Sequence, residues 1–274
     1  MDRAQASQSP LRHLLVALAA LAALAGCDRD RAAGTPGSGA STDPVELTVF
    51  AASSLREAFE ELGAAYEAAH PDVDVMFSVA GSQELRTQVE KGAPADVIAT
   101  ADAQHMEALV TAKRVTGSQV LARNEPVVVT TPAMAATVVD FATLGAAPRI
   151  VVGAAEVPIG RYTLQILDRA AAKLGAGFRS GVEARIVSRE FNVRQVLGRV
   201  ERGEADAAIV YRTDALSAPG VRVVPIPPDL GGFSELRIAT VSASKHPVEA
   251  ARWVEFALSP AGREVLDRAG FLPP

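Results

Sequence analysis

The sequence predicts an α/β protein with two small domains. From residue 45 onward, apolar runs typical of buried strands alternate with segments whose apolar residues recur at helical spacing. This is the pattern of mostly parallel sheets flanked by helices. The apolar runs are too many for one small sheet. The chain has 274 residues, of which 49% are hydrophobic, and this is enough for two medium domains.

Each predicted strand or helix has its own signal. Between residues 55 and 69, apolar residues recur at i, i+3 and i+4, which predicts a core-facing helix that ends at His70-Pro71. Short apolar runs bounded by turn residues predict strands. The strands are expected at 45–50, 73–79, 96–100, 126–131, 149–154, 183–188, 206–211, 221–226 and 236–242. The helices are expected at 55–69, 84–90, 158–174, 193–202, 247–257 and 260–269.

Two extended segments that contain proline, 125–132 and 221–228, are candidate crossings between the domains. Two such segments side by side would let the chain leave the first domain and return to it, which is the geometry of a hinge. Composition alone does not place the domain border.

The first 26 residues have the features of an export signal. Arg3 and Arg12 precede an apolar run at 14–25 that has the proportions of a signal-peptide core and is short for a membrane span. The run ends in Leu24-Ala25-Gly26-Cys27, which resembles a bacterial lipobox, and Cys27 is the only cysteine. We therefore expect a lipoprotein signal peptide at 1–26, a lipidated Cys27, and a flexible tether over 27–44 that is rich in small and polar residues.

The charge of the chain limits its partners. The formal net charge is −5, and residues 1–26 contribute +1 through Asp2, Arg3 and Arg12, so the mature body carries −6. An acidic body argues against a nucleic-acid surface and offers no general attraction to anions. Any anion site must therefore be local.

Serines stand at two predicted junctions between a strand and a helix. Ser54-x-x-Glu57 has the spacing of a capping box, and Ser82 follows Gly81 at the start of the next helix. Helix N-termini at the carboxyl ends of parallel strands favour anions, and serine hydroxyls add neutral donors. When each serine is taken alone, plain helix capping is the preferred explanation. Convergence of the two on one ligand is the alternative.

Three further junctions fit an anion site. Pro158 stands at the first position of a predicted helix, where backbone amides are the available donors. Asn192 is placed to cap the next helix, and Tyr211 ends a buried strand where its hydroxyl could donate at a cleft. Ordinary structural roles exist for each: a helix start, a cap and a core ring.

Signals for catalysis or for a resident metal are weak. His70, His105 and His246 are not paired at metal-ligand spacing, and we expect them on the surface or at helix ends. Asp96 and Asp102 flank a short strand, and solvated turns are the expected setting for both. The sequence contains no G-x-S-x-G, P-loop or G-x-G-x-x-G motif.

Five stretches resemble the molybdate-binding proteins of bacterial ABC importers, a branch of the type II periplasmic binding proteins. They span about residues 47–271, and "GAPADV" and "NVR" with "GEADAAIVY" are the most specific parts. The stretches are "LTVFAASSLREAFEEL", "GSQELRTQVEKGAPADVIATAD", "VVGAAEVPIGRYTLQIL", "FNVRQVLGRVERGEADAAIVYRTDA" and "VEFALSPAGREVLDRAGF".

The resemblance implies a two-domain clamshell with a two-strand hinge. Domain 1 would comprise 45–125 and 228–274, and domain 2 would comprise 126–227. Molybdate, or tungstate, would lie in the cleft between them and be held without any charged side chain. The donors carried over by motif are the hydroxyls of Ser54, Ser82 and Tyr211 and the backbone N–H groups of Ile159 and Val193.

The resemblance also implies the protein's setting. It would be an exported, periplasmic, lipid-anchored monomer that delivers its ligand to a membrane permease, without catalysis and without a cofactor. Molybdenum would be bound only as the oxyanion, by the same five residues. Arg161 adds a cation near the site, and it either faces solvent or closes the lid.

Hydrogen-bond chemistry agrees with a fully deprotonated oxyanion, which has acceptors only, and disfavours phosphate, which carries a proton that needs an acceptor. Other readings stay open. Sulfate or a metal ion could be the ligand of the same fold. An exported hydrolase could use Ser54 or Ser82 as nucleophile, but it needs a histidine base within reach.

Overall fold

The computed structural model describes residues 44–274. The predicted signal peptide, Cys27 and the tether up to residue 43 lie outside the described residues. Within the described part, ten strands and ten α-helices alternate along the chain. The strands are β1 Val45–Ala52, β2 Val73–Ala80, β3 Val97–Thr100, β4 Val115–Asn124, β5 Pro126–Thr130, β6 Ile150–Gly153, β7 Ile186–Glu190, β8 Ala207–Tyr211, β9 Arg222–Pro225 and β10 Ser234–Val241.

The helices cover both sheets, and several begin at a proline, which suits the first helical position. Short 3-10 turns lie at Ser53–Leu55, Pro132–Met134 and Phe141–Ala146. The α-helices are α1 Arg56–Ala69, α2 Ser82–Glu90, α3 Ala103–Thr111, α4 Pro158–Leu174, α5 Ala176–Glu183, α6 Val193–Glu201, α7 Arg212–Leu216, α8 Pro228–Gly231, α9 Pro247–Leu258 and α10 Pro260–Arg268.

The strands form two five-stranded sheets, each of which is mostly parallel. The first sheet, which defines lobe 1, has the order β2-β1-β3-β10-β4, and only β10 runs against the other four strands. The second sheet, which defines lobe 2, has the order β7-β6-β8-β5-β9, and only β5 runs against the rest. The predicted fold class, two α/β domains that each have a mostly parallel sheet flanked by helices, is confirmed.

The chain passes between the sheets twice. It leaves lobe 1 between Asn124 and Pro126 and returns between Pro225 and Ser234. In each case the first strand after the crossing, β5 or β10, is the one that runs against its sheet. The sequence predicts domain 1 at 45–125 and 228–274 and domain 2 at 126–227. These borders stay predictions.

Several elements escaped the sequence pattern. β4 begins with a polar stretch, and most of its first half is partly or fully exposed, so it shows no continuous apolar run. The helix α3 and the short helices α5, α7 and α8 were also not predicted. Because α5 extends to Glu183, β7 starts at Ile186 and not at 183 as expected. By contrast, α4 has the predicted bounds.

An aromatic cluster fixes α9 against lobe 1. The Trp253 side chain is completely buried, and its ring centroid lies 5.2 Å from that of Tyr66 and 5.8 Å from that of Phe77. Phe59 meets the same indole edge to face at 6.1 Å. Pairs of this kind add to the burial of the rings themselves. The cluster therefore holds α1, β2 and α9 together.

Within residues 44–274, no helix has both the length and the apolar character that a membrane crossing requires.

Trp253→Ala should lower the free energy of unfolding by about 3–5 kcal/mol, because it leaves a large cavity inside this cluster. Urea unfolding followed by circular dichroism measures the loss. Val248→Ala, on the exposed side of the same helix, is the matched control and should cost less than about 0.5 kcal/mol. A loss below about 1 kcal/mol for Trp253→Ala would contradict the importance given to the cluster.

Candidate functional site

Six strands end at one small cavity between the two sheets. About 210 Å³ of space lies between its walls, part of it open to solvent. Residues that follow β1, β2 and β3 line it from lobe 1, and residues that follow or end β6, β7 and β8 line it from lobe 2. Ligands of open α/β sheets gather at such carboxyl ends. The lining residues are Ala52, Ser53, Ser54, Gly81, Ser82, Ala101, Val157, Pro158, Ile159, Asn192, Val193 and Tyr211.

All five residues predicted for the site lie on this cavity, namely Ser54, Ser82, Ile159, Val193 and Tyr211. Two come from lobe 1 and three from lobe 2. The structure therefore brings together side chains and amides that are up to 157 positions apart in the sequence. Their contact with a ligand remains a prediction.

Ser54 does not form the capping box expected from its spacing to Glu57. Ser53–Leu55 form a 3-10 turn, and α1 begins after Leu55 without a side-chain cap. The Glu57 carboxylate binds Arg194 and does not reach back to the turn. The Ser54 hydroxyl is buried and has no hydrogen-bond partner among the described residues. Helix capping therefore does not explain Ser54, whose hydroxyl is available to a ligand.

Ser82 is oriented as a donor. It is the first residue of α2, is buried, and does not cap the helix. Its Oγ accepts a hydrogen bond of 2.9 Å from the backbone N–H of Ala101. A hydroxyl has one proton and two lone pairs, so this bond occupies a lone pair and leaves the proton for another acceptor. The cavity is the open side.

Two helix N-termini supply backbone amides. Ile159 is the second residue of α4, and Val193 is the first residue of α6. The first amides of a helix have no acceptor within it, and the helix dipole favours negative charge there. Asn192 caps α6 as predicted, with its Oδ1 accepting from the N–H of Gln195 at 3.0 Å.

Gly160 allows α4 to begin against the end of β6. A Cβ at this position would lie 1.9 Å from the carbonyl oxygen of Ala154 and 2.5 Å from that of Gly153. Only glycine permits this approach without moving the backbone. This close packing fixes the position of the Ile159 amide relative to the end of β6.

The Tyr211 hydroxyl is the fifth donor. The side chain is 1% exposed, and its oxygen has no hydrogen-bond partner among the described residues. Burial raises the pKa of Tyr211 well above its ordinary value, and the nearby Ser234 hydroxyl offsets this only in part. The hydroxyl therefore keeps its proton and can donate it.

The cavity lining contains donors and no charged side chain. Within residues 44–274, no cluster of three or more His, Cys, Asp or Glu residues could hold a metal ion. The arrangement can pair with a small anion that carries only acceptors, and its lining has no carboxylate to accept a ligand's proton.

Sequence reasoning missed the charged groups beside the cavity. Asp102 is 1% exposed and caps α3, so it does not lie in the solvated turn expected for it. His105 lies in the first turn of α3 and is 3% exposed, so it is not on the surface. The Arg161 guanidinium binds the Asp102 carboxylate across the two lobes, which answers the question left open for Arg161. These partners are 59 residues apart, and no local pattern marks such a pair.

His105 also bridges the lobes. Its Nε2 lies 3.1 Å from the carbonyl oxygen of Glu156. Burial lowers the pKa of His105, so the ring is neutral near pH 7 and donates from Nε2. Its role is structural, and it contacts neither Ser54 nor Ser82 in the described hydrogen bonds.

Asp214 is a buried carboxyl group at the start of α7. It is 0% exposed, and its Oδ1 lies 3.1 Å from Nε of Arg194. Burial raises the pKa of Asp214 to about 7, although Arg194 opposes the shift. In the unfolded chain the group titrates near its ordinary value, so the folded protein binds the extra proton between about pH 4 and pH 7.

Asp214→Asn should therefore become more stable relative to the unmodified protein as the pH rises from 4 to 7. The aspartate contributes most to the free energy of unfolding below pH 4. This contribution falls by up to about 1.4 kcal/mol per pH unit between pH 4 and pH 7, whereas asparagine does not titrate. Urea unfolding at several pH values measures the difference, with the exposed Asp72→Asn as control. A difference that falls with pH would contradict the assignment.

Comparisons with known proteins place the chain in a family. Residues 47–272 match the family of bacterial extracellular solute-binding proteins. The chain is 35% identical over 263 residues to the molybdate-binding protein ModA of Mycobacterium tuberculosis, covering 95% of this chain and 97% of that one.

Two solved structures have the same fold. The substrate-binding domain of a putative molybdenum ABC transporter from Clostridium difficile is 26% identical with a TM-score of 0.64, covering 84% of this chain and 99% of that one. The sulfate-binding protein SubI from Mycobacterium tuberculosis is 19% identical with a TM-score of 0.74, covering 84% and 87%. The fold, the cavity at the strand ends and the match over 47–272 agree, and the chain belongs to the bacterial extracellular solute-binding proteins.

Proposed function

We propose that this protein is the substrate-binding component of an ABC importer and captures molybdate in the cavity between its lobes. The observation that carries the proposal is the set of five neutral donors that meet at one buried cavity free of charged side chains. The likeness to ModA over nearly the whole chain supports molybdate as the ligand.

The chemistry of molybdate suits these donors. At neutral pH it is a tetrahedral dianion whose four oxygens only accept hydrogen bonds. Two helix N-termini and three hydroxyls would supply the donors, and each buried donor left unpaired by a wrong ligand costs about 1–3 kcal/mol. Tungstate has the same charge and shape, and we propose that it binds as well. Phosphate keeps a proton near pH 7, and the five groups include no carboxylate to accept it, so we propose that phosphate binds poorly.

Sulfate is the second candidate, because it is also a fully deprotonated tetrahedral dianion and a sulfate-binding protein shares the fold. Sulfate is smaller than molybdate, so it would reach fewer of the five donors at once. An exported hydrolase is disfavoured. Neither Ser54 nor Ser82 has a histidine partner in the described chain, and a serine nucleophile needs one. We propose that the protein catalyses no reaction.

The setting of the protein follows from its leader and its family. We propose that it is exported to the periplasm, is held at the membrane by lipid on Cys27, works as a monomer and delivers its ligand to a membrane permease. The segment 27–44 would serve as the tether. Capture would close domain 1 (45–125 and 228–274) onto domain 2 (126–227), with the hinge at the two crossings between the sheets.

Titration calorimetry should show molybdate and tungstate binding at micromolar concentration or tighter, much weaker binding of sulfate, and no binding of phosphate. Ser54→Ala and Tyr211→Phe should each weaken molybdate binding by about 10- to 100-fold, because each removes one hydrogen bond to a charged ligand.

Ser180→Ala is the matched control. This serine is exposed, lies in α5 away from the cavity, and donates its hydroxyl proton to the backbone of its own helix. Its affinity for molybdate should be unchanged. Absence of molybdate binding would refute the proposed function. Tighter binding of sulfate than of molybdate would show that sulfate is the ligand of the same site.

A further inference from the structure

Two arginines of lobe 2 reach across to lobe 1 beside the cavity. The first is Arg161, in the first turn of α4 and two residues after Ile159. Its guanidinium binds Oδ2 of Asp102. Asp102 follows Ala101, whose amide donates to Ser82. The contact therefore joins the start of the helix that offers the Ile159 amide to the segment that orients the Ser82 hydroxyl.

The second is Arg194, which directly follows Val193 at the start of α6. Its guanidinium binds the Glu57 carboxylate, and its Nε lies 3.3 Å from the carbonyl oxygen of Ser53. Both partners belong to lobe 1 and flank Ser54. On its own lobe, Arg194 donates to Ser217 Oγ at 2.9 Å, and its Nε lies 3.1 Å from Oδ1 of the buried Asp214. This contact joins the Val193 amide to the turn that carries Ser54.

Neither arginine lines the cavity, so neither is in place to contact a ligand there. The Arg161 and Arg194 side chains are 21% and 22% exposed, and the Asp102 carboxylate is 1% exposed. Glu57 is 50% exposed, so water screens its pair with Arg194. Removal of Arg161 has the larger effect, because it leaves the Asp102 charge buried and unpaired. Both contacts exist only while the lobes meet.

We infer that Arg161 and Arg194 are positioning residues that hold the cleft closed and thereby set the rate at which the bound oxyanion is released. The inference rests on the proposed function, since it concerns release of the ligand named there. Contacts present only in the closed form shift the equilibrium toward it, and a ligand enclosed by that form leaves only when it opens.

A simpler role for the arginines would be attraction of the dianion by their charge alone. The acidic partners separate the two roles. Asp102→Asn and Glu57→Gln each remove a negative charge near a dianion site, so charge alone predicts tighter binding. Loss of a closing contact predicts weaker binding. Asparagine also retains the cap of α3, because its side-chain oxygen can still accept from the N–H of His105.

The test uses the purified protein with radiolabelled molybdate, chased with unlabelled molybdate to measure the release rate, and calorimetry to measure Kd. Arg161→Gln, Arg194→Gln, Asp102→Asn and Glu57→Gln should each release molybdate faster, by about tenfold for the buried Asp102 pair. Arg161→Lys should recover part of the loss. The double variant Arg161→Gln/Asp102→Asn should be little worse than either single variant, because both remove the same contact.

Arg199→Gln is the matched control. This arginine also lies on α6, but it pairs with Glu190 and Glu204 inside lobe 2. The variant should therefore release molybdate at the same rate as the unmodified protein. Thermal unfolding without ligand checks that each variant folds. If Arg161→Gln does not fold, Asp102→Asn and Arg161→Lys still decide the question.

Two results would overturn the inference. Unchanged release in the four variants would show that the contacts do not control opening. Tighter binding by Asp102→Asn and Glu57→Gln, together with weaker binding by the arginine variants, would show that charge alone acts. An unmodified protein that does not bind molybdate would instead refute the proposed function, and the inference with it.

Discussion

Two buried hydroxyls, those of Ser54 and Tyr211, have no hydrogen-bond partner among the described residues. A buried donor without an acceptor costs about 1–3 kcal/mol, and both hydroxyls line the same cavity, so an acceptor that enters the cavity would stabilise the folded protein. The Ser82 hydroxyl adds a third proton, because its oxygen is already occupied by the amide of Ala101. An anion that only accepts hydrogen bonds satisfies all three.

The two sheets make this arrangement possible. In each lobe, parallel strands end at the same edge, so that helices α2, α4 and α6 start at one place and direct their first amides toward it. Uncharged donors then suffice to hold a dianion, because the dipoles of the helices supply the favourable potential. Under the proposed function the protein needs no cation at the ligand, and Arg161 and Arg194 join the lobes beside the cavity.

The separation between binding groups and closing groups also explains how a net acidic protein could take up an anion. The positive charges of Arg161 and Arg194 pair with Asp102 and Glu57 across the cleft, and Arg194 also pairs with Asp214 of its own lobe. Selectivity is then left to the number of donors that a tetrahedral ion can reach, and the size of the ion decides that number. We propose that release depends on the Arg161 and Arg194 contacts, which lie outside the cavity lining.

The sequence was sufficient to predict the strands with strong apolar runs, the bounds of α4 and the residues that meet at the cavity. Its local rules failed where tertiary contacts decide the outcome. Glu57 was expected to reach back to the Ser54 turn, but a cation 137 residues away takes its carboxylate. The polar first half of β4 hid a strand that pairs with β10. Asp102 and His105 are buried because the second lobe covers them, which periodicity within one segment does not reveal.

The most direct test of a charge-free anion site is a crystal structure of the protein grown with molybdate, with molybdenum located by anomalous diffraction. We expect one molybdenum in the cavity, with its oxygens within about 3 Å of the three hydroxyls and of the amides of Ile159 and Val193. The guanidinium groups of Arg161 and Arg194 should not contact the ion. A molybdenum bound elsewhere, or held directly by either arginine, would contradict this account.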